Sequence, residues 1–207
     1  MKTLSMVMFG VAAVACVGAA AQQVVAKASV GEPAPVWSLP DSNGKSQSLD
    51  MYKGKYVVLE WTNKDCPYVK KHYESGNMQS TQEKAKDMGA VWLTIISSAP
   101  GSQGYLKATD VNSYREQMKV KSTATLLDPD GKVGHMYDAK TTPQIVIINP
   151  DGKMIYNGAI DDKPTPNKDD IAGAKNYALS ALKEAMAGKD VSVSTSKPYG
   201  CSVKYAN

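Results

Sequence analysis

The sequence is poor in the residues that usually bind metals or relay protons. Its 207 residues include three cysteines and two histidines, which leaves little material for a metal cluster or a histidine-based relay. No glycine-rich phosphate loop and no Ser-His-acid set stands out. We therefore expect a protein that works without a metal or an organic cofactor.

The charges are not concentrated in any one region. Lysine and arginine number 24 and aspartate and glutamate 20, so the formal net charge is +4, and the lysines are scattered. A nucleic-acid-binding protein would be expected to cluster its basic residues on one face, so we expect no nucleic-acid partner. The composition is 43% hydrophobic and 21% charged, which suits one soluble, folded domain.

Long apolar runs are absent except at the N-terminus. Lys2 precedes an apolar run over residues 6–21 that ends in three alanines, as in a secretory signal. The run is shorter than the roughly 20 residues of a membrane-spanning helix. We expect residues 1–21 to be removed, the mature protein to be periplasmic or secreted, and no membrane span to remain. Lipidation at Cys16 is an alternative, although Ala13 stands where a lipoprotein signal has leucine.

The rest of the chain alternates short apolar runs with helical patterns. Such alternation, followed by a hairpin and a final helix, predicts an α/β fold with a central mixed sheet flanked by helices and an N-terminal hairpin. We divide the chain into a linker (22–32), one domain (33–188) and a C-terminal tail (189–207). The predicted strands are 56–61, 91–97, 123–127, 144–148 and 154–158; the hairpin turn is 41–44; the helices are 66–76, 79–88, 110–118 and 169–187.

The chemistry is concentrated around one cysteine. The buried strand 56–61 runs into a loop, and Cys66-Pro67 opens a helix with proline in its first turn. A helix N-terminus favours a thiolate and so lowers the thiol pKa. Lys70 follows on the same helical face and Lys64 is close in sequence, so both would stabilise the thiolate. These features indicate a reactive Cys66; the alternative is a static disulfide that anchors the tail.

The sequence around this cysteine resembles a known family. Residues 61–71, 141–143 and 159–162 are similar to thioredoxin-fold redoxins, and most closely to exported peroxiredoxin-like proteins of the AhpC/TSA type. The resemblance implies a thioredoxin-like fold in which a cis peptide bond precedes Pro143 and this proline lies against Cys66. It also implies a substrate groove formed by Trp61, Asn63, Pro67, Thr142 and Pro143.

The sequence departs from both branches of that family. Val69 stands where a thioredoxin has its second cysteine, and Leu59 and Asn63 replace the proline and threonine of a peroxiredoxin. Arg115 is the only arginine, and no pattern places it beside Cys66. The substrate is therefore either a peroxide or a disulfide, and an external thiol would serve as reductant.

Two further residues complete the predicted site. Glu60 precedes Cys66 by six residues, as the buried acid of thioredoxins does, and would exchange protons with the thiol. Cys201, in the tail, would resolve an oxidised Cys66, either from the same chain or from a second copy in a homodimer. A permanent bridge, or a Cys201 unrelated to Cys66, is the alternative.

Two other function classes stay open. Cys66, His72, His135, Met136 and Cys201 contain the thiolate, imidazole and thioether ligands that suit copper, and thiolate and imidazole also suit zinc, although His72 is six residues beyond Cys66 and should face away from it. The fold could also act as a non-catalytic scaffold. A Cys66 that stays unreactive at neutral pH would indicate that role.

Overall fold

A computed structural model describes residues 28–206. The predicted signal, Cys16 and most of the predicted linker lie outside these residues. The strands are β1 (Ser38–Pro40), β2 (Ser46–Ser48), β3 (Val57–Trp61), β4 (Val91–Ile96), β5 (Ala124–Leu127), β6 (Thr141–Thr142), β7 (Gln144–Ile148), β8 (Met154–Gly158) and β9 (Cys201–Ser202). The α-helices are α1 (Pro67–Glu74), α2 (Asn77–Asp87), α3 (Ala108–Gln117), α4 (Lys132–Met136) and α5 (Tyr177–Met186).

Five strands form the central sheet in the order β5-β4-β3-β7-β8. β3 runs parallel to β4 and antiparallel to β7, so that Leu59 lies between Leu93 and Val146. β4 and β5 are parallel, and β7 and β8 antiparallel. Every residue of β3, β4 and β7 is buried, as expected for strands covered on both faces. The predicted mixed sheet is confirmed.

Alternate residues of β3 face two separate cores. Val58 packs on the side of Cys66 and of buried residues from α1, α2 and α5. Leu59 and Trp61 point to the opposite face, where they meet Tyr137 and the region of the N-terminal hairpin. Because side chains alternate along a strand, this arrangement assigns the Cys66 region to one face of the sheet.

Turn chemistry accounts for the predicted N-terminal hairpin. β1 and β2 pair antiparallel across a turn that begins at Asp41. One carboxylate oxygen of Asp41 accepts the N–H groups of Asn43 and Lys45, each at 2.9 Å. An aspartate that binds its own turn in this way is a typical turn former, and the hairpin is confirmed.

The predicted helix over residues 169–187 is wrong in its first half. Lys168–Gly173 forms a 3₁₀ helix, the chain extends at Ala174, and α5 begins only at Tyr177. Asn176 is the reason, because its side chain accepts the N–H of Leu179 at 2.9 Å and so caps a new helix. The apolar periodicity continues across this break, so it does not reveal the break.

α4 occupies a segment for which no helix was predicted. The buried carboxylate of Asp128 accepts the N–H of Val133 at 3.2 Å and that of Gly134 at 2.9 Å. These bonds satisfy amides that a helix start leaves unpaired. The capping residue lies five residues before the first of these amides, beyond the usual cap position, so a local motif search does not find it.

The described part of the C-terminal tail packs against the domain. β9 pairs antiparallel with β6, and Val203 donates its N–H to the carbonyl of Lys140 at 3.0 Å. Further along, the Tyr205 hydroxyl donates to the Ala139 carbonyl at 2.7 Å. The tail therefore adds a short strand beside β6. Across residues 28–206, no helix is long and apolar enough to cross a membrane.

Candidate active site at Cys66

Cys66 is the N-cap residue of α1, and Pro67 occupies the first turn. The Cys66 backbone carbonyl accepts the N–H of Lys70 at 2.9 Å, which is the first bond of the helix. Proline suits this position because the first amides of a helix have no intrahelical partner. The predicted placement of a thiol at a helix N-terminus is confirmed.

A cis peptide bond joins Thr142 to Pro143, as the family resemblance implied. The Thr142 carbonyl oxygen lies 3.1 Å from the Cys66 sulfur, where it can accept the thiol proton. Thr142 and Pro143 are both buried. Of the predicted groove residues, Thr142 therefore contacts the Cys66 sulfur through its carbonyl oxygen, and Pro143 follows it directly.

The tail brings Cys201 to the same place. Cys201 is the register partner of Thr142 in the β6–β9 pair, and its N–H donates to the Cys66 sulfur, with the nitrogen 3.4 Å away. The Thr142 hydroxyl donates to the Cys201 carbonyl at 3.4 Å. Both thiols are free, and the Cys66 side chain is 0% exposed. The tail thus covers Cys66, and the two cysteines of the described residues meet there.

The pKa values of the two thiols are shifted in opposite directions. Burial raises the pKa of Cys66, but hydrogen bonds from the Cys201 thiol and N–H, the Val69 N–H and the Thr142 side chain outweigh burial, so its pKa lies below that of an ordinary thiol. Burial, the hydrogen bond to Cys66 and the charge of Cys66 together raise the pKa of Cys201 to about 11. Of the two thiols, Cys66 therefore ionises first, with Cys201 as its hydrogen-bond donor.

The two lysines that were expected to stabilise this thiolate act elsewhere. Lys64 pairs with Asp65 at 2.7 Å and lowers the pKa of that carboxyl. Lys70 is exposed, and its charge lowers the pKa values of Asp65 and Glu74. Neither lysine is among the groups that lower the Cys66 pKa. Hydrogen-bond donors at the sulfur perform the task that we had assigned to the lysines.

Glu60 lies fully buried on the Cys66 side of the sheet and binds four donors. Its oxygens accept from Tyr73 at 2.8 Å, Trp92 at 2.7 Å, Gln82 at 3.0 Å and Thr94 at 3.4 Å. Burial raises its carboxyl pKa against these bonds. Among the contacts of the described residues, none joins Glu60 to Cys66. The carboxylate instead ties α1 and α2 to β3 and β4.

Of the other three expected groove residues, Trp61 turns away from Cys66. Trp61 is buried on the opposite face of the sheet, where its ring packs against Tyr137 at a 41° tilt, with ring centroids 5.7 Å apart. Asn63 accepts the N–H of Asp65 at 2.9 Å and donates its amide N–H to the Gln103 carbonyl at 3.3 Å. Pro67 is exposed on the first turn of α1. Trp61 faces away because side chains alternate along β3, a direction that the resemblance alone did not show.

A buried polar cluster beside Cys66 was missed. Tyr199, two residues before Cys201, donates its hydroxyl to Asp161, and His72 lies against the same hydroxyl at 3.3 Å. Lys71 is 1% exposed, and its ammonium lies 5.7 Å from the centre of the Tyr199 ring. Asp161 belongs to the family-like stretch 159–162, which was the one available signal for this cluster.

Of the residues grouped as a metal-site alternative, Cys66 and Cys201 meet, but the two histidines do not complete a metal site with them. His72 has one ring nitrogen against Tyr199 and the other 2.7 Å from the Asn77 amide nitrogen. His135 stacks on Tyr205 at 3.9 Å between centroids, beside the other core. Within residues 28–206, no group of three or more His, Cys, Asp or Glu side chains is placed to hold a metal ion.

Arg115 also lies away from the thiol. Its guanidinium donates to the Ser122 hydroxyl at 2.8 Å and to the Thr125 hydroxyl at 2.6 Å, beside β5. β5 lies on one side of β3 in the sheet, whereas β7, which follows the cis peptide bond, lies on the other. The arginine is therefore not positioned to orient a peroxide at Cys66.

The sheet order, the cysteine at the start of α1 and the cis Thr142–Pro143 bond, whose Thr142 carbonyl contacts the sulfur, define a thioredoxin-fold protein. More specifically, the chain belongs to the AhpC/TSA family, whose model matches residues 30–157, more than half of its length.

Relatives agree with this assignment. The chain is 29% identical over 127 residues to the thiol-disulfide oxidoreductase ResA of Bacillus subtilis (strain 168), a match that covers 61% of this chain and 65%, slightly less than two thirds, of ResA. An uncharacterized conserved protein from Geobacillus kaustophilus shares the fold with a TM-score of 0.75 and 23% identity, over 86% of this chain and 93% of that one. The pneumococcal exposed lipoprotein thioredoxin Etrx1 of Streptococcus pneumoniae strain TIGR4 has a TM-score of 0.51 and 27% identity, over 72% of this chain and 98% of that one.

Proposed function

We propose that this protein is an exported thiol-disulfide oxidoreductase in which Cys66 is the nucleophile and Cys201 the resolving cysteine. The observation that carries the proposal is the contact between the Cys201 N–H and the Cys66 sulfur, across 135 residues of sequence. The lowered pKa of Cys66 and the raised pKa of Cys201 support the division of roles. The match to ResA supports disulfide chemistry.

The reaction consists of two exchanges. The Cys66 thiolate attacks one sulfur of a substrate disulfide, a new bond from Cys66 to that sulfur forms, and the other substrate sulfur leaves as a thiolate that takes a proton. Cys201 then loses its proton and attacks the Cys66 sulfur, which forms the Cys66–Cys201 disulfide and releases the second substrate thiol. The substrate gains two electrons, the protein loses two, and an external dithiol reductant restores both cysteines.

The pKa of Cys201 changes as the two exchange reactions proceed. In the reduced protein the Cys66 charge and the hydrogen bond to it help to raise the pKa of Cys201 to about 11. Once Cys66 is bonded to a substrate sulfur it carries no charge, so both causes disappear and Cys201 ionises more easily. The resolving cysteine is thus held protonated until the mixed disulfide exists. Because both cysteines belong to one chain, the cycle needs no second copy.

Glu60 has a positioning role in this proposal. Within residues 28–206, its side chain accepts hydrogen bonds from donors on α1, α2 and β4, so it holds α1, and with it Cys66, against the sheet. Direct proton exchange with the thiol stays a hypothesis. Export rests on the signal-like residues 1–21, and the name of the pneumococcal exposed lipoprotein thioredoxin is consistent with it.

The test is a trapping experiment with the two single cysteine variants. Reduced Cys201→Ser protein, treated with a peptide disulfide, should gain one substrate peptide that maps to Cys66, whereas Cys66→Ser should trap far less. Reduced wild-type protein should instead lose two hydrogens, in a bridge that maps to Cys66 and Cys201. Equal trapping by both variants would contradict the proposal.

Hydrogen peroxide serves as the competing oxidant in the same experiment. Peroxide transfers oxygen to Cys66 to give a sulfenic acid, which Cys201 would convert to the same disulfide with loss of water. We expect the peptide disulfide to react faster, because Arg115 is bound beside β5. A much faster reaction with peroxide would assign the protein to the peroxidase branch of its family.

A further inference from the structure

The Tyr199 side chain contacts a cluster of buried polar side chains, Lys71, His72 and Asp161, which we call the socket. Its hydroxyl donates to the Asp161 carboxylate, and its ring lies 5.7 Å from the Lys71 ammonium and 5.7 Å, between centroids, from the Tyr68 ring. Lys71 is 1% exposed and donates to the Lys163 carbonyl at 2.8 Å. The socket therefore offers an acceptor for a phenol hydroxyl and a cation and an aromatic ring for its face.

The hydrogen bonds in this socket form a chain in which each group donates to the next, from Asn77 through His72 and Tyr199 to Asp161. The Asn77 amide nitrogen lies 2.7 Å from His72 Nδ1, and because an amide nitrogen only donates, Nδ1 is an acceptor and the imidazole proton is on Nε2. Nε2 then donates to the Tyr199 oxygen at 3.3 Å, and the Tyr199 hydroxyl donates to Asp161. Tyr199 is thus the link between α1 and the loop that carries Asp161.

Only one of the two carboxylate oxygens of Asp161 accepts hydrogen bonds from the described residues, and one of its donors is Tyr199. Asp161 is 2% exposed, and its Oδ2 accepts no hydrogen bond from any described residue, while its other oxygen accepts from Tyr199 and from the Lys163 N–H at 2.9 Å. A buried carboxylate that loses a donor pays a large desolvation cost. Removing the Tyr199 hydroxyl should therefore weaken the seating of the tail.

We propose that Lys71, His72 and Asp161 form a phenol-binding subsite beside Cys66, and that seating Tyr199 there holds Cys201 against Cys66 and closes the site. Tyr199 is a positioning residue, since it acts through Cys201. The role in catalysis rests on the proposed function. Because Cys66 is 0% exposed in the closed arrangement, a substrate disulfide reaches it only when Tyr199 leaves the subsite.

Access to Cys66 is the direct test. The reduced full chain is pulsed with iodoacetamide, and the peptide that contains Cys66 is followed by mass spectrometry. Tyr199→Phe keeps the ring and removes the hydroxyl, and should label Cys66 about tenfold faster than wild type, which corresponds to ~1.4 kcal/mol. Tyr205→Phe is the matched control, because it removes a tail hydroxyl that binds the neutral Ala139 carbonyl, and should change the rate about twofold at most.

A second readout separates positioning from general loosening. The equilibrium between the Cys66–Cys201 disulfide and glutathione gives the effective concentration of Cys201 at Cys66. Tyr199→Phe should lower it by about the same factor of ten, whereas the free energy of unfolding in urea should fall by no more than the equivalent of that factor, ~1.4 kcal/mol. Asp161→Asn should behave like Tyr199→Phe. The double variant should add little, because both changes remove the same interaction, the hydrogen bond between Tyr199 and Asp161.

The outcomes are distinct. If Tyr199→Phe labels and equilibrates like Tyr205→Phe, the subsite does not position the tail and the inference is overturned. If the effects of Tyr199→Phe and Asp161→Asn add fully, the two residues act separately and the subsite is also overturned. Alkylation requires no disulfide substrate, so failure to trap a mixed disulfide at Cys66 contradicts the proposed function and leaves the labelling result intact.

Discussion

The amide of Cys201 points at the sulfur of Cys66, with 3.4 Å between nitrogen and sulfur. On the same sulfur the Thr142 carbonyl oxygen approaches to 3.1 Å. One neighbour stabilises the thiolate by donating, and the other stabilises the thiol by accepting its proton. Since both come from the paired strands β6 and β9, the ionisation of Cys66 depends on whether the tail is in place.

The pKa of Cys66 should therefore respond to the side chain at position 201. Cys201→Ala removes the thiol donor and should move the Cys66 pKa upward, while Cys201→Ser supplies a hydroxyl donor and should keep it lower. The pH dependence of Cys66 alkylation in the two variants gives both values. Identical midpoints for alanine and serine would show that the side-chain donor is not what lowers this pKa.

Gly200 should be intolerant of a side chain. Its φ is +133°, and a Cβ there would lie 2.0 Å from the Thr142 carbonyl oxygen. Gly200→Ala should thus push β9 away from β6 and increase the rate of Cys66 alkylation at least tenfold. Gly188→Ala is the control, because Gly188 also has a positive φ, +71°, but a Cβ there meets nothing within 4 Å. It should strain the backbone without opening the site, and equal labelling of the two variants would contradict the clash.

Acid should destabilise the folded protein through His72. Burial lowers the pKa of His72 from 6.5 to about 4, with Asp161 opposing this shift and Lys71 adding to it. The unfolded chain then binds a proton that the folded one does not, so the contribution is fully present above pH 6.5 and is lost as the pH falls toward 4.

Over that range this one group lowers the free energy of unfolding by roughly 3 kcal/mol. Urea unfolding at several pH values measures it, and His72→Gln should flatten the profile between pH 6.5 and 4. An unchanged slope in the variant would show that other groups cause the acid sensitivity.

Glu60 should matter for stability more than an exposed glutamate on the neighbouring helix. Glu60→Gln places an NH₂ group among the donors of Tyr73, Trp92 and Gln82, so at least one donor loses its acceptor, at a cost of about 2 kcal/mol. Glu74→Gln, on the surface of α1, should leave the urea midpoint almost unchanged. Equal midpoints for the two variants would argue against the network as the role of Glu60.

Several features could be predicted because they depend on neighbours in sequence. The alternation of apolar runs predicted the mixed sheet, the turn residues around Asp41 predicted a hairpin, and proline after Cys66 predicted a helix start. The helix start at Asn176 and helix α4, whose first amides Asp128 accepts, were missed, since each depends on one side chain that reaches particular backbone amides. Periodicity averages over several residues and does not register such single contacts.

The sequence by itself determined that Cys66 sits at a helix N-terminus after a buried strand and, through its resemblance to a family, that a cis-proline faces it. Only the tertiary structure decided which groups act on that thiol. It placed Lys70 at the surface, Trp61 on the far face of the sheet, and Tyr199 and Cys201 beside Cys66. Local patterns report the period of a helix or strand, whereas these positions follow from which strand edge the tail pairs with, and the separation along the chain carries no information about that pairing.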